Sequence, residues 1–267
     1  MKKILLVIFT LVMLFSVAAC GSTTTSNDGS NPGSTAPDNS NNTSTQNSDA
    51  TEPTAEVSPE SEGGSAHEIT YSNVTAYTNS IGTTWVQTIF EVTNTGSVDL
   101  YLSSGSYDLE NHDGSLIASK TMVSVFPDVI SPGEKAYYYE EITLDNYTGD
   151  GSDLVVLPRV SVKDAKIDNV RFPVTDVTIS DGSYGGLKTM GRVENTSSND
   201  ESIVYVVIVF YDANNQPIGL DFTILTDGLA TGDKVGFETS SFSLPPTVTM
   251  ESVSSYEVFA YPQQYQF

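Results

Sequence analysis

The sequence predicts an all-β fold for residues 67–267. From Ile69 onward, short runs rich in Val, Ile, Thr, Tyr and Phe are separated by turn clusters such as Asn94-Thr95-Gly96 and Ser131-Pro132-Gly133. The run from Val86 to Val92 alternates for most of its length, as a strand with one core face does. No stretch longer than about ten residues keeps the 3.6-residue apolar period of a helix.

The same order of signals occurs twice along these residues. The matching pairs are Glu91–Thr95 with Arg192–Thr196, Tyr107–Asn111 with Tyr211–Asn215, and Ile130–Tyr137 with Leu229–Phe237, at offsets of 101, 104 and 99 residues. A near-constant period of about 100 residues is the size of an immunoglobulin-like sandwich and indicates a tandem duplication. We therefore predict two tandem immunoglobulin-like β-sandwiches, at residues 67–165 and 166–267.

Three pairs of repeated residues are predicted to have structural roles. They are Asn94 and Asn195, Asp108 and Asp212, and Gly133 and Gly232. Each Asn ends a strand, where its short side chain accepts backbone hydrogen bonds or tolerates a positive φ. Each Asp follows a buried tyrosine and is expected to cap the amides of a turn. Each Gly is expected in a tight turn before the next strand.

The N-terminus has the pattern of a secretion signal over residues 1–19. A basic start at Met1-Lys2-Lys3 precedes an apolar run from Ile4 to Val17, shorter than the roughly 20 residues of a bilayer span. The following Val17-Ala18-Ala19-Cys20 resembles the lipobox of bacterial lipoproteins, which implies cleavage before Cys20 and a diacylglycerol on its thiol. Two acyl chains suffice for stable membrane anchoring. The alternatives are a buried helix or an ordinary secretory signal with a chance cysteine.

Residues 20–66 are predicted to form a disordered stalk behind the lipidated cysteine. Residues 21–66 are rich in Ser, Thr, Asn, Gly and Pro, and Val57 is their only branched aliphatic residue. Such a segment buries too little apolar surface to offset its chain entropy. A flexible coil of this length has a root-mean-square reach of about 35–40 Å. A glycosylated or partner-binding segment is the alternative.

Charge and cysteine content exclude several classes of protein. The chain has 34 acidic and 11 basic residues and a formal charge of −23, and residues 67–267 retain 27 acidic and 9 basic residues. Nucleic acid is excluded as a partner, because affinity for its phosphates comes from Lys and Arg. One Cys excludes an intrachain disulfide framework and any multi-cysteine metal site.

The repeated residues resemble a family of surface proteins. The order strand-Asn-Thr, then Tyr-Asp, then Gly-Glu/Asp-Lys is similar to the immunoglobulin-like extracellular domains of Gram-positive lipoproteins. The second copy, with Ile208-Val209-Phe210-Tyr211-Asp212, resembles the FxLYD-type domain. The first copy keeps only Tyr107-Asp108 and is closer to related domains with Asn-Thr-Gly, Asp-Gly and Pro-Gly-Glu motifs. The resemblance implies a sandwich on the extracellular face of the cell membrane and supplies no catalytic residues.

No set of residues in the sequence predicts catalysis. His67 lies at the edge of the stalk and His112 in a predicted hairpin loop, and neither is marked as a general base. Neighbouring acids such as Glu140 and Glu141 point to opposite faces of a strand. We predict that the protein is not an enzyme, with a hydrolase as the less favoured alternative. A transporter's solute-binding subunit is disfavoured, because such subunits need helices.

Calcium is the only cofactor that the sequence suggests. The segment from Asp145 to Asp153 contains the carboxylates of Asp145, Asp150 and Asp153 within nine residues, although its spacing is not that of an EF-hand. Asn199-Asp200-Glu201 is a weaker candidate. A solvated acidic loop is the alternative interpretation.

Aromatic residues supply the second binding hypothesis. In Tyr137-Tyr138-Tyr139 the middle ring faces opposite to its neighbours, and Tyr256–Phe267 is rich in rings. Exposed tyrosines stack on sugars or bind protein partners. Alternatively, Phe259 and Tyr261 fill the second sandwich, the interpretation that we favour. The sequence thus predicts a lipid-anchored, non-catalytic binding protein of the envelope, whose ligand is an unknown protein or glycan, with a carbohydrate- or calcium-binding protein as the alternative.

Overall fold

The computed structural model describes residues 65–145, 147–182, 186–239 and 244–266. Its thirteen strands are β1 (His67–Thr78), β2 (Thr84–Asn94), β3 (Leu100–Asn111), β4 (Leu116–Phe126), β5 (Val129–Ile130), β6 (Lys135–Leu144), β7 (Leu154–Asp164), β8 (Val174–Asp181), β9 (Leu187–Glu194), β10 (Val204–Tyr211), β11 (Pro217–Leu225), β12 (Lys234–Glu238) and β13 (Ser255–Pro262). The described residues contain no helix, so none that would cross a membrane. The predicted all-β, immunoglobulin-like character is confirmed.

Strands β1–β7 form the first sandwich. One layer has the order β1-β2-β6, and the other is β4-β3-β7 with the short β5 beside β3. Strand β4 belongs to both layers, because it pairs with β3 through Val123, with a bulge at Met122, and with β6 from Ser124 onward. Met122 has a φ of 61°, which is uncommon for a residue other than glycine. The core between the layers includes Phe90, Tyr107 and Tyr138, all fully buried.

Strands β8–β13 form the second sandwich with the same pairing order. Its layers are β8-β9-β12 and β11-β10-β13. Val206, Ile208 and Phe210 of β10 point into the core between these layers. The predicted boundary between residues 165 and 166 falls in the connection between β7 and β8.

The two sandwiches pack directly on one another. Ile89, Tyr137 and Tyr139 of the first meet Val207, Val209, Tyr211 and Leu220 of the second in one apolar cluster, which we call the junction. Both faces of β10 are therefore covered, which explains its unbroken apolar sequence. The prediction that β2 has one core face is wrong, because Ile89 packs in the junction while Phe90 packs in the first core.

The predicted roles of the two repeated asparagines are confirmed. The Asn94 amide donates to the carbonyls of Val98 and Ile130 and accepts from Gly96 N. Asn195 makes the corresponding bonds to Asn199, Leu229 and Ser197. The two side chains are 1% and 0% exposed. Each fastens a loop to the core.

The repeated glycines also lie in equivalent turns. Gly133 and Gly232 have φ values of 82° and 81°, and each amide donates to the carbonyl of the repeated asparagine in its own sandwich. A positive φ of this size favours glycine. The expected tight turns are confirmed.

The aspartate pair is equivalent only in part. Asp212 caps the hairpin turn after β10, accepting from the amides of Asn214 and Gln216. Asp108 lies within β3 and pairs with Arg159 at 2.7 Å, so its predicted capping role is wrong. The turn residue that matches Asp212 is Asn111, which exchanges backbone bonds with Ser115 and Gly114 as Asp212 does with Gln216 and Asn215. The true offset here is 101 residues, not 104.

Tyrosine hydroxyls link the sandwiches within the junction, and this link is testable. The oxygens of Tyr137 and Tyr211 are 2.5 Å apart, and Tyr211 donates to Glu257 at 3.1 Å. Burial raises the pKa of both tyrosines, so both remain protonated. Tyr137→Phe and Tyr211→Phe are each expected to cost about 1 kcal/mol of unfolding free energy. Urea denaturation should show that the double variant loses less unfolding free energy than the two single variants combined. Additive losses, or an equal loss in Tyr256→Phe, would contradict the link.

An aromatic groove as the candidate functional site

A groove lies where the junction reaches the surface. Its volume is about 630 Å³, and both sandwiches line it. The first sandwich contributes Tyr101–Ser104, Met122, Ser124–Phe126 and Asp128, and the second contributes Tyr205, Phe222, Ile224, Tyr261 and Gln263–Tyr265. A volume in this range is typical of sites that hold a small molecule or several side chains.

Alternation along the strands explains why the second sandwich presents these residues. Tyr205, Val207 and Val209 share one face of β10, since side chains alternate along a strand. The first sandwich covers this face over Val207 and Val209. It does not cover Tyr205 at the start of β10 to the same extent, and the groove lies there. Strand β11 follows the same pattern along one face. Leu220 is buried in the junction, and Phe222 and Ile224, further along that face, line the groove.

The groove has a buried floor and an exposed apolar rim. Leu102, Phe126 and Tyr261 are at most 5% exposed. The rim is formed by Met122 (77% exposed), Tyr265 (62%), Ile224 (40%) and Phe222 (36%). A cluster of exposed apolar side chains around a concavity marks a site of interaction.

The rings in the groove are packed against one another. Tyr205 stacks on Tyr261 at 5.5 Å between centroids, and Phe126 contacts Phe222 at 4.9 Å. Phe126 is also 6.1 Å from Tyr205, so the rings of the two sandwiches form a continuous set. The aromatic surface is therefore largely organised before a ligand arrives.

Asp128 is the one acidic residue among the described lining residues. Its backbone carbonyl accepts from Leu102 N at 2.7 Å, which holds the segment against β3. Burial raises the pKa of its carboxyl group to about 6, and the charge of Arg171 opposes this rise. Arg171 lies on Tyr261, 5.7 Å from the ring centroid, and donates to the Val129 carbonyl.

The tyrosine run predicted as a binding surface is buried. Tyr138 is fully buried in the first core, and Tyr137 and Tyr139 lie in the junction. Their proposed contact with sugars or partners is therefore wrong, because both faces of β6 are covered. The tyrosine run therefore belongs to a strand that lies between the core of the first sandwich and the junction.

The aromatic tail contributes to the groove in a different way from that expected. Phe259 and Tyr261 are in the final strand, as favoured, but they pack in the junction and not in the core of the second sandwich. Tyr265 lies on the groove rim. Phe267 lies outside the described residues.

The candidate calcium residues lie in the loop between β6 and β7. Asp150 accepts from Ser152 N at 3.0 Å, and Asp153 accepts from the hydroxyl of Tyr147. Among the described residues no three His, Cys, Asp or Glu side chains are grouped as a metal site requires. The calcium site at Asp145, Asp150 and Asp153 stays a prediction, and Asn146 is outside the described residues.

The other candidates are dispersed. His67 begins β1, and the His112 ring nitrogen is 3.2 Å from the Ser152 carbonyl oxygen. Glu140 pairs with Lys120, and Glu141 accepts from Tyr77. Cys20 and the stalk lie outside the described residues, so lipidation remains a prediction.

Comparison with models of known protein families finds no match to this chain, and comparison with curated proteins finds none.

Sequence reasoning did not find the groove. Tyr101, Met122, Asp128, Tyr205 and Phe222 come from five separate segments that only the packing of the two sandwiches brings together. One signal was present in the sequence. Phe222-Thr223-Ile224 continues the apolar alternation of β11, and in a two-layer sandwich one face of each strand meets solvent.

Proposed function

We propose that the protein is a lipid-anchored, non-catalytic binding protein of the cell envelope, which holds its ligand in the aromatic groove. The observation that carries this proposal is the exposed rim of Met122, Phe222, Ile224 and Tyr265 around a concave floor. Exposed apolar side chains cost solubility and are retained where a partner covers them.

The lipobox-like sequence at Cys20 supports the location. Two acyl chains at this residue would hold the protein on the extracellular face of the membrane, with residues 21–66 as a spacer.

Substitutions on the groove rim test the site. Phe222→Ala combined with Tyr265→Ala removes two rings from the rim and is expected to lower recovery of envelope material by the immobilised chain at least about tenfold. Tyr256→Ala is the matched control, because Tyr256 is a 46% exposed tyrosine of β13 that does not line the groove. The chain used begins at residue 20 and carries Cys20→Ser.

Equal recovery by the wild-type, groove and control chains would contradict the proposal. Circular dichroism melting identifies any variant whose loss comes from unfolding. Loss of recovery on adding EDTA, restored by calcium and abolished by Asp150→Asn, would instead favour the calcium-binding alternative.

The lipid anchor is tested separately. Cys20→Ser in the full chain is expected to abolish incorporation of labelled palmitate and to prevent cleavage before residue 20. Membrane fractionation should then show the uncleaved precursor. Palmitate labelling that persists in the Cys20→Ser chain would contradict the assignment.

A further inference from the structure

We infer that the aromatic groove binds a basic side chain, Lys or Arg, presented by a segment of a partner polypeptide. This inference rests on the proposed function and specifies the ligand of the same site. It is carried by the combination of six aromatic side chains with one carboxylate in the groove lining.

The described lining residues match a cation in charge and in ring content. They include Asp128 but no Lys, Arg or His. The six rings are Tyr101, Phe126, Tyr205, Phe222, Tyr261 and Tyr265. The face of an aromatic ring attracts an ammonium or guanidinium group, and the attraction is larger in a partly desolvated site.

Asp128 supplies the opposite charge at a half-buried position. A carboxylate with a raised pKa destabilises the folded chain at neutral pH, because folding disfavours its ionised form. The groups that interact with its charge are the guanidinium of Arg171 and the neutral hydroxyls of Tyr205 and Tyr261. Arg171 also donates to the Val129 carbonyl and approaches Glu134 at 3.6 Å, so its charge is shared between Asp128 and other acceptors. A cation on the ligand would offset the negative charge of Asp128 that Arg171 does not neutralise.

The rim indicates that the cation arrives on a polypeptide. The alkyl stem of a basic side chain packs on apolar surface while its charged end reaches a polar partner. Met122 and Ile224 offer such a surface beside Phe222. The groove volume of about 630 Å³ leaves room for residues that flank the basic one. A neutral glycan would add no positive charge to that of Arg171 beside Asp128.

The charge of the whole molecule acts in the same direction. Residues 67–267 have 27 acidic and 9 basic residues. Within the part of the chain that the structure describes, six of those basic side chains form ion pairs, at Lys120, Lys135, Arg159, Arg171, Lys188 and Arg192. Excess negative charge speeds the encounter with a cationic partner. Two basic residues lie beside lining residues, since Lys163 is opposite Tyr101 in strand register and Arg171 lies on the Tyr261 ring.

Calorimetry with matched peptides tests the inference. The probes are a blocked nonapeptide of Ser, Gly and Leu with a central lysine and the same peptide with Nζ-acetyl-lysine. The wild-type chain is expected to bind the lysine peptide at least about tenfold more tightly. Asp128→Asn should abolish this preference. Glu251→Gln should retain it, because Glu251 precedes the first residue of β13, whereas the groove residue Tyr261 lies near the other end of that strand.

Two further readouts separate a lost site from a lost fold. Asp128→Asn is expected to be no less stable than wild type at pH 7, because it removes a desolvated charge. For wild type, affinity for the lysine peptide should fall between pH 7 and pH 5 as Asp128, with its pKa of about 6, gains a proton. Lysine stays charged over this range, and the Asp128→Asn chain should give a flat profile.

Several outcomes would overturn the inference. They are equal binding of both peptides, no binding of either, or an unchanged preference in Asp128→Asn. If the Phe222→Ala, Tyr265→Ala variant still recovers less envelope material than wild type in those cases, the proposed function stands and only the cationic ligand is wrong. If rim variants retain all binding, the proposed function fails as well.

Discussion

Replacing Tyr138 with alanine is expected to lower the free energy of unfolding by about 3–5 kcal/mol, the cost of deleting a large buried aromatic ring. The ring is fully buried and stacks on Phe90 with centroids 4.8 Å apart. Its hydroxyl donates to the Ser103 carbonyl at 2.9 Å. The space cannot readily collapse, because β6 is held between β2 and β4.

One further variant separates the contribution of the ring from that of the hydroxyl, and another serves as the control. Tyr138→Phe keeps the ring and should cost only about 1 kcal/mol, the net contribution of one hydrogen bond. Tyr256→Ala removes an exposed tyrosine and should change stability by less than about 0.5 kcal/mol. Guanidinium denaturation measures all three. A loss below about 1 kcal/mol for Tyr138→Ala would mean that Tyr138 is not in the first core.

Replacing Asn195 with alanine is expected to cost about 3 kcal/mol. The side chain donates to the Asn199 and Leu229 carbonyls, both at 2.8 Å, and accepts from Ser197 N at 2.9 Å. Alanine removes all of these bonds and leaves a buried carbonyl at Leu229 without this donor, which costs more than the bond itself contributes.

Asn94→Ala is the test of equivalence between the sandwiches. It removes the corresponding bonds to Val98 and Ile130 and should cost about the same amount. Asn199→Ala, which removes an exposed side chain and keeps the carbonyl that Asn195 contacts, should be nearly neutral. A loss confined to one of Asn94 and Asn195 would contradict their equivalent roles.

The architecture was predictable from the sequence because its signals are local. Strand alternation, the Asn at a strand end and the turn glycines are each recognisable within a few residues of sequence, although the Asn94 and Asn195 side chains donate to carbonyls 36 and 34 residues away. Each has the same role in both sandwiches. The misassigned aspartate shows the limit of this approach. Tyr-Asp occurs in both copies, but β3 extends to Asn111 before it turns, and no local feature of Asp108 distinguishes a strand residue from a cap.

The junction was not predictable because it depends on which outer faces meet. In a single sandwich one face of a strand is covered and the other is solvated, and this rule does not account for Ile89 and Tyr137. Burial of both faces requires the partner sandwich. The groove follows from the same packing, since it lies where the first sandwich leaves part of the junction face of β10 and β11 uncovered.

The measurement that tests the groove most directly is methyl NMR of the chain from residue 20 with Cys20→Ser and ¹³C-labelled methionine methyl groups. Met122 lies on the groove rim, while Met190 and Met250 are exposed elsewhere and serve as internal references. On addition of envelope extract, the Met122 signal is expected to shift or broaden while the other two remain unchanged. A shift of Met190 or Met250 with an unchanged Met122 would show that the ligand binds outside the groove.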